Sequence, residues 1–349
     1  MSVHALPHTV EEITPAWLTS ALSERFPGAR VSAAEMTQFI DGTAQKCRFA
    51  LTYESAEAGG PSSVWVKGGF DPKGASQGDA FANETRFFKD IAPLVDMLLP
   101  DAFFGGIDDA TNNGVLVLED LILSDATFGR ATEPLDAEMA KRVLSQQARL
   151  HARFWGGRDL EGLEWVKPGG SIAAAGVVDQ YFGLWDTASG LERFKFLTDE
   201  QRERERVQAA MNALMRDMIE QPRCVVHGDS QGGNLFFIGD QPGYLDWQHC
   251  MRGNWAFDVS GFMMTALTVE TRRKHQKDLL RHYLGELAAH GADAPGFDEA
   301  WNDYSRYALW AFMWVMCPVE AHPEEICCLN TERACAAIEE LGTLQKLGV

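Results

Sequence analysis

The hydrophobic pattern of this chain changes period near Leu121, and that change constrains the fold more than any other feature. Before it, residues 35–40, 46–53 and 63–69 read as short strands, separated by Asp41-Gly42 and Gly59-Gly60-Pro61 turns. A helix is predicted over residues 79–91, where Phe81, Phe87, Phe88 and Ile91 recur at helical spacing, and 103–107 and 115–118 return to strand. After the change, residues 137–155, 199–219, 258–267, 271–290, 297–316 and 331–347 read as helices. Only 224–226, 235–238 and 244–245 read as strands there, the last two flanking a turn at 239–243. The pattern therefore predicts an α+β chain in two lobes. A small antiparallel sheet with one inserted helix occupies residues 1–120, and a large, mainly helical lobe occupies residues 121–349. At 349 residues the chain also exceeds what one hydrophobic core commonly holds.

Charge narrows the partners. Lys and Arg number 31 against 50 Asp and Glu, a formal net charge of −19, so nucleic acid and an anionic membrane surface are both disfavoured. No apolar run reaches spanning length, and the N-terminus lacks the basic region of a signal peptide. The seven cysteines are odd in number and lack paired CxxC spacing, which fits a reducing cytoplasm better than a zinc site or a disulfide framework.

The chemistry concentrates in VVHGDSQGGNLFFIGDQPGYLDWQ, residues 225–248. His227-Gly228-Asp229, then Asn234, then Asp246 past a predicted hairpin, is the order of parts in kinase-type phosphoryl transfer. Such transfer needs a carboxylate to take the proton of the attacking hydroxyl, which Asp229 supplies. It also needs hard oxygen ligands for Mg²⁺, which Asn234 and Asp246 supply. The same stretch contains Gly228-Asp229-Ser230-Gln231-Gly232, a G-x-S-x-G match, so a serine esterase using Ser230 is the alternative enzyme class. That elbow must run straight into a helix, and Gly239, Pro242 and Gly243 follow too closely for one.

Phosphoryl transfer also wants a cation on a strand and a carboxylate on the inserted helix to orient it. Lys67 ends Val64-Trp65-Val66-Lys67, and Glu84 lies on the next helix, with Lys73 and Arg86 as competing cations. Gly42, in the loop between the first two strands, is the candidate phosphate cover, although that loop is poor in glycine. Residues 115–121 form an apolar strand ending in acidic residues, so Leu118, Glu119 and Leu121 are placed at a hinge whose backbone meets adenine. No G-x-x-x-x-G-K-[ST] and no G-x-G-x-x-G occurs, which argues against P-loop and dinucleotide enzymes.

These residues resemble the aminoglycoside-phosphotransferase-like kinases, and most closely their ecdysteroid-kinase-like (choline-kinase-like) branch. The resemblance rests on VLEDL at 117–121, QARLHARFW at 147–155, VVHGDSQGGNLFF at 225–237, YLDWQ at 244–248 and AFDVSGF around Asp258. It implies a two-lobed protein-kinase-like fold and an ATP- and magnesium-dependent small-molecule kinase. By position, Asp229 would be the base, with Asn234 and Asp246 holding Mg²⁺ and Lys67 with Glu84 holding the phosphates. His227 would support the catalytic loop, and Asp258 would be a buried acid bonding that loop's backbone. His151 reads as a packed structural histidine. The His-Gly-Asp form points to small-molecule over protein acceptors, and Asp246-Trp247-Gln248 suits the ecdysteroid-kinase-like branch.

The acceptor expected is a small hydroxylated molecule. The many aromatics of the helical half, among them Tyr181, Trp185, Trp310 and Trp314, favour an apolar, aromatic or sterol-like alcohol. A cationic acceptor of the aminoglycoside or choline type is the alternative, and a nucleotide-binding pseudokinase is the reading outside enzymes.

Overall fold

The computed structural model describes residues 5–42, 44–55, 57, 59–70, 78–108 and 110–349, side chains excepted at 78 and 79. Lys73 and Thr43 of the 41–45 loop lie outside the described residues. Internal contacts divide the chain into two units, Met1–Pro93 with Leu99–Ala126, and Leu94–Leu98 with Thr127–Val349.

The first unit opens with a helix that the strand-dominated pattern of this region did not reveal, α1 (Pro15–Leu22). Thr14 caps it by accepting the Trp17 N–H at 3.2 Å, and Pro15 sits in its first turn, where a missing N–H costs nothing. Strands β1 (Val31–Asp41), β2 (Gln45–Tyr53) and β3 (Ser63–Gly68) follow, then α2 (Gly78–Arg86), β4 (Ala102–Asp108) and β5 (Asn113–Glu119). The sheet is antiparallel throughout, in the order β1-β2-β3-β5-β4. Alternate residues of β2, Cys47, Phe49 and Leu51, face a core shared with Val64, Val66 and Val117, which α1 covers with Trp17, Leu18 and Leu22. The inserted helix is shorter than its periodicity predicts. Regular winding stops at Arg86, and residues 87–91 form a wider π turn that still buries Phe87, Phe88 and Ile91.

The second unit contains β6 (Thr127–Phe128), α3 (Ala137–Arg153), three short helices α4 (Gly170–Ala174), α5 (Val177–Phe182) and α6 (Trp185–Ser189), and α7 (Arg204–Glu220). Strands β7 (Cys224–Val226), β8 (Leu235–Ile238), β9 (Gln241–Tyr244) and β10 (Met251–Gly253) come next. The chain ends with α8 (Trp255–Ala266), α9 (Val269–Ala289), α10 (Phe297–Tyr307), α11 (Glu324–Glu340) and α12 (Thr343–Lys346). β6-β8-β9 form one antiparallel sheet and β7 pairs β10 in another. Helix α8 is apolar on nearly every face and is buried on nearly every face, and it underlies the segment after β7.

The structure also moves several predicted boundaries in the second unit, among them the start of the helix expected over 199–219, which begins at Arg204. The region expected to turn at 239–243 is largely strand: Pro242 pairs with Phe237 in β9, an edge strand where a missing N–H breaks no ladder bond. The helix expected over 297–316 leaves α-geometry at Tyr307 and continues as a 3₁₀ segment to Met316. The helix expected over 331–347 starts earlier, at Glu324 behind Pro323, and is broken at Gly342, whose φ is +60°.

Candidate active site

In the first unit, Lys67 near the end of β3 meets Glu84 of α2, with Nζ to Oε2 at 2.6 Å and side chains only 7% and 4% exposed. An ion pair this dry is held by mutual neutralisation, because either charge alone would carry a large desolvation cost. The sheet places Lys67 opposite Lys46 on β2 and Leu116 on β5. Arg86, the competing cation, is turned to Asn112, Nη2 to Oδ1 at 3.0 Å. Gly42 immediately follows β1, in the turn between the two first strands.

At the proposed hinge, Leu118 and Glu119 close β5. The Glu119 carboxylate accepts the Asp101 N–H at 2.8 Å and the Ser124 hydroxyl at 3.3 Å, while Leu121 is buried. Between them lies Asp120, whose role the sequence did not reveal. Its carboxylate is wholly shielded and accepts Arg48 Nη2 at 2.6 Å, Arg48 Nε at 2.7 Å and Trp65 Nε1 at 3.2 Å. It thereby ties the strand-to-loop junction to β2 and β3. Burial alone would raise the Asp120 pKa, but hydrogen bonds from Ser63 and Arg48 and the Arg48 charge outweigh it and hold it below the ordinary value. A lowered carboxylate stabilises the fold above its unfolded pKa of about 3.9, and that contribution is lost as pH falls through the lower folded value. Urea unfolding of Asp120→Asn against the parent should therefore show a stability gap at pH 7 that closes below about pH 4. A gap unchanged by acid would mean that shape, not charge, holds this junction.

In the second unit, β7 delivers the chain into a loop bolted to α8. The Asp258 carboxylate, fully buried, accepts the His227 N–H at 2.7 Å and the Gly228 N–H at 3.0 Å. His151 of α3 supports it from the other side, with Nε2 at 3.2 Å from Asp258 and Nδ1 at 2.8 Å from the Tyr283 hydroxyl. Gly228 has φ +85°, and a Cβ there would lie 2.2 Å from the His249 carbonyl oxygen, so glycine is required. His227 bridges two loops: Nδ1 accepts the Asp229 N–H at 3.1 Å and Nε2 donates to the Leu245 carbonyl at 2.8 Å. Its ring lies 4.4 Å from Trp247 and 4.9 Å from Tyr244, which fixes its plane.

Asp229, Asn234 and Asp246 come from one compact neighbourhood. The Asn234 amide donates to both the backbone oxygen and Oδ2 of Asp229, each at 2.8 Å. Both acceptors lack protons to give, so the amide orientation is determined and Oδ1 of Asn234 faces away as an acceptor. The Leu245 N–H donates to the Asn234 carbonyl at 2.8 Å, so the residue just before Asp246 is tied directly to Asn234. Asp246 itself takes left-handed geometry, φ 65° and ψ 62°, at the mouth of the 3₁₀ turn Trp247–His249. Its neighbour Trp247 is buried and donates its indole N–H to the Tyr244 carbonyl at 3.2 Å, anchoring that turn. Gln231, which the sequence reading passed over, points its amide at Asp229, 3.4 Å from Oδ1 and 3.2 Å from Oδ2.

The esterase alternative fails on geometry. After Ser230 the chain makes a single 3₁₀ turn, Gly232–Asn234, and enters strand β8 with no helix to form an elbow. The buried Ser230 hydroxyl donates to the Asp258 carbonyl at 2.7 Å, so it serves as a structural bolt. Ser230→Ala should cost about 0.5–1.5 kcal/mol in urea unfolding and leave turnover within a small factor. Loss of an ester-cleaving activity on that change would reinstate the nucleophile.

Among the described residues, no group of three or more His, Cys, Asp or Glu is placed to hold a metal ion, and no helix is long and apolar enough to cross a membrane. Asn234 Oδ1 and the Asp246 carboxylate are one neutral and one anionic oxygen. That donor set fits Mg²⁺, which commonly takes one or two protein ligands and fills its shell with water and phosphate oxygens.

An antiparallel sheet with one inserted helix, followed by a mainly helical part that carries the His-Gly-Asp loop, defines the protein-kinase-like fold. The chain belongs to the phosphotransferase enzyme family, whose model matches residues 78–297. It is similar to N-acetylmuramate/N-acetylglucosamine kinase of Neisseria meningitidis serogroup B, 27% identical over 109 residues, a match covering 31% of this chain and 31% of that protein. Among solved structures it resembles Plasmodium vivax ethanolamine kinase, with TM-score 0.50 and 12% identity over 86% of this chain and 82% of that one. A GDP complex of aminoglycoside 2'-phosphotransferase-IIIa gives TM-score 0.49 and 12% identity over 93% of this chain and 98% of that one.

Proposed function

We propose that this protein is a small-molecule kinase that transfers the γ-phosphoryl group of ATP to a hydroxyl of an uncharged, apolar or aromatic acceptor. The observation that carries the reading is the Asn234 amide donating twice to Asp229 while Leu245, the residue before Asp246, is tied to the Asn234 carbonyl. The reading takes the Asp229 carboxylate as base and assigns one oxygen each of Asn234 and Asp246 to a metal.

Asp229 is the base. With Asn234 and Gln231 donating to its carboxylate, the group is aimed and still able to take a proton. As the acceptor oxygen bonds the γ-phosphorus, its proton passes to Asp229, the bond from the γ-phosphorus to the bridging oxygen breaks, and ADP leaves. Asn234 and Asp246 would hold Mg²⁺, which when bound supplies neutralising charge for the phosphates. Lys67, oriented by Glu84, is assigned to the donor phosphates, Gly42 to the loop covering them, and the backbone at Leu118, Glu119 and Leu121 to adenine. His227 is a positioning residue, since both ring nitrogens are committed to backbone groups.

Support for the acceptor class comes from the second unit. The Asp229 charge acts on Tyr181 and on His322, a residue that sequence reading did not single out. Burial, with Cys317 and Asp229 nearby, pushes the Tyr181 phenol up to about 12, and burial pushes the His322 imidazole down against the pull of Asp229. Both side chains therefore stay neutral at pH 7. The His322 ring lies 5.0 Å from Trp314, and Tyr181, Trp314 and His322 are half-buried, whereas Phe182, Trp185 and Phe312 behind them are fully packed. Half-exposed neutral rings suit a flat, uncharged acceptor better than a polycation. The sequence at Asp246-Trp247-Gln248 favours the ecdysteroid-kinase-like branch, and seven unpaired cysteines favour a reducing cytoplasm.

The test is mass spectrometry of a panel of hydroxyl compounds, with aromatic alcohols, sterols, choline and kanamycin as separate arms, incubated with Mg²⁺·ATP. A phosphorylated aromatic alcohol or sterol supports the reading, and phosphorylation confined to choline or kanamycin transfers it to the cationic class. Tight Mg²⁺·ATP binding with no turnover in any arm would make the protein a pseudokinase.

A further inference from the structure

The loop that carries Asp229 and Asn234 passes through a narrow gap at Gly232. On one side lies the C-terminal end of α8. The Gly232 N–H donates to Thr265 Oγ1 at 3.3 Å, and the Thr265 hydroxyl proton is itself spent on the Gly261 carbonyl at 2.8 Å. On the other side lies the strap that follows β6. A Cβ at Gly129 would stand 2.0 Å from the Gly232 carbonyl oxygen, so strap and loop are in backbone contact. The strap is stitched on by Gly129 N–H to the Leu235 carbonyl and by Leu135 N–H to the Ala266 carbonyl, both 2.8 Å.

One side chain joins the two sides. Arg333 of α11 is 6% exposed, and its guanidinium donates Nη1 to the Thr265 carbonyl and, at 2.8 Å, Nη2 to the Ala131 carbonyl. Both acceptors are neutral backbone oxygens. Burying a guanidinium against neutral acceptors is costly, and burial lowers its pKa with only Glu332 opposing. A rigid planar fork is what two carbonyls on separate segments require, and a lysine could not reach both in fixed geometry. A cation at the α8 C-terminus is also where the helix dipole and an unsatisfied terminal carbonyl favour it. Helix α11 lies wholly beyond residue 297, where the family match ends, while both acceptors lie within the matched span.

We propose that Arg333 is a positioning residue: it cross-links the α8 terminus to the strap after β6 and so holds the Gly232 gap, and with it Asp229 and Asn234, in register. The proposal rests on the reading of Asp229 as base, and its test is built to fail separately. Amide hydrogen exchange, resolved by residue in the full chain, is compared for the parent, Arg333→Met, Arg333→Lys and Thr265→Val. Losing both charge-assisted bonds should speed exchange at Gly232 and Asn234 by about tenfold or more in Arg333→Met. Arg333→Lys should fall between parent and Met, and amides of α9 such as Leu280 should stay near parental rates.

In the same proteins, acceptor-free hydrolysis of Mg²⁺·ATP should lose kcat while the nucleotide KM stays within about twofold. The Arg333→Met and Thr265→Val effects should be less than additive, because both act through one gap. Unchanged exchange at Gly232, or a uniform rise across α8, α9 and α11, would overturn the proposal by reducing Arg333 to a general stabiliser. If Arg333→Met does not fold, Thr265→Val reads the same link with the guanidinium in place. Asp229→Asn that keeps ATP turnover would defeat the reading of Asp229 as base, while the exchange result would still decide the clamp.

Discussion

Asp229→Asn is expected to lower phosphoryl transfer by about 10²–10⁴-fold while nucleotide binding and folding stay close to parental. The reason lies in the partners of the carboxylate. Asn234 Nδ2 and Gln231 Nε2 both donate to it, and an amide oxygen at position 229 can still accept from Asn234. The loop therefore keeps its geometry, and what disappears is the capacity to take a proton. Mass spectrometry of acceptor product, run beside nucleotide titration and urea unfolding, separates these quantities. Turnover equal to the parent would sink the assignment of the base. Asp246→Ala provides the complementary result, because it should weaken nucleotide binding only when magnesium is present.

The second large effect concerns stability. Lys67→Met takes the ammonium away from the Glu84 carboxylate at a site where that side chain is 4% exposed. Removing one member of so dry a pair should cost about 3–5 kcal/mol, far above the 0–1 kcal/mol of a surface pair. Adding Glu84→Gln to Lys67→Met removes the buried carboxylate charge as well, so the double variant should recover much of the loss in urea unfolding. Transfer should not recover with it, because the cation assigned to the phosphates is still absent. A single variant that costs no more than a surface pair would mean that water reaches the pair. Recovery of both stability and transfer in the double variant would remove Lys67 from the phosphate assignment.

Much of the fold was legible because the strands and long helices are simple periodic objects. Cys47, Phe49 and Leu51 alternate in β2, and α8 is apolar on most faces because nearly all of it is buried. The elements that escaped are those whose burial depends on distant contacts. The short helices α4, α5 and α6 span too few turns to show a periodicity of their own. Helix α1 carried a legible signal, Thr14 before Pro15, that the alternating pattern around it outweighed. At Phe297–Met316 the pattern stayed helical through a change of winding at Tyr307, since apolar spacing does not distinguish α from 3₁₀ geometry over a few residues.

The amino-acid order by itself determined which residue types stand at which spacing in the proposed site, and that a hairpin follows Asn234. Those are local matters, because spacing along an extended loop and a two-strand hairpin limits where the side chains go. Only the tertiary structure decided what holds them. The family resemblance implied the Asp258 carboxylate beneath His227 and Gly228, but the Arg48 fork on Asp120 and Arg333 across the Gly232 gap join residues 72 and 202 positions apart with no such signal. No local pattern encodes such pairs, since a buried charge finds its partner only after the apolar surfaces around it have closed.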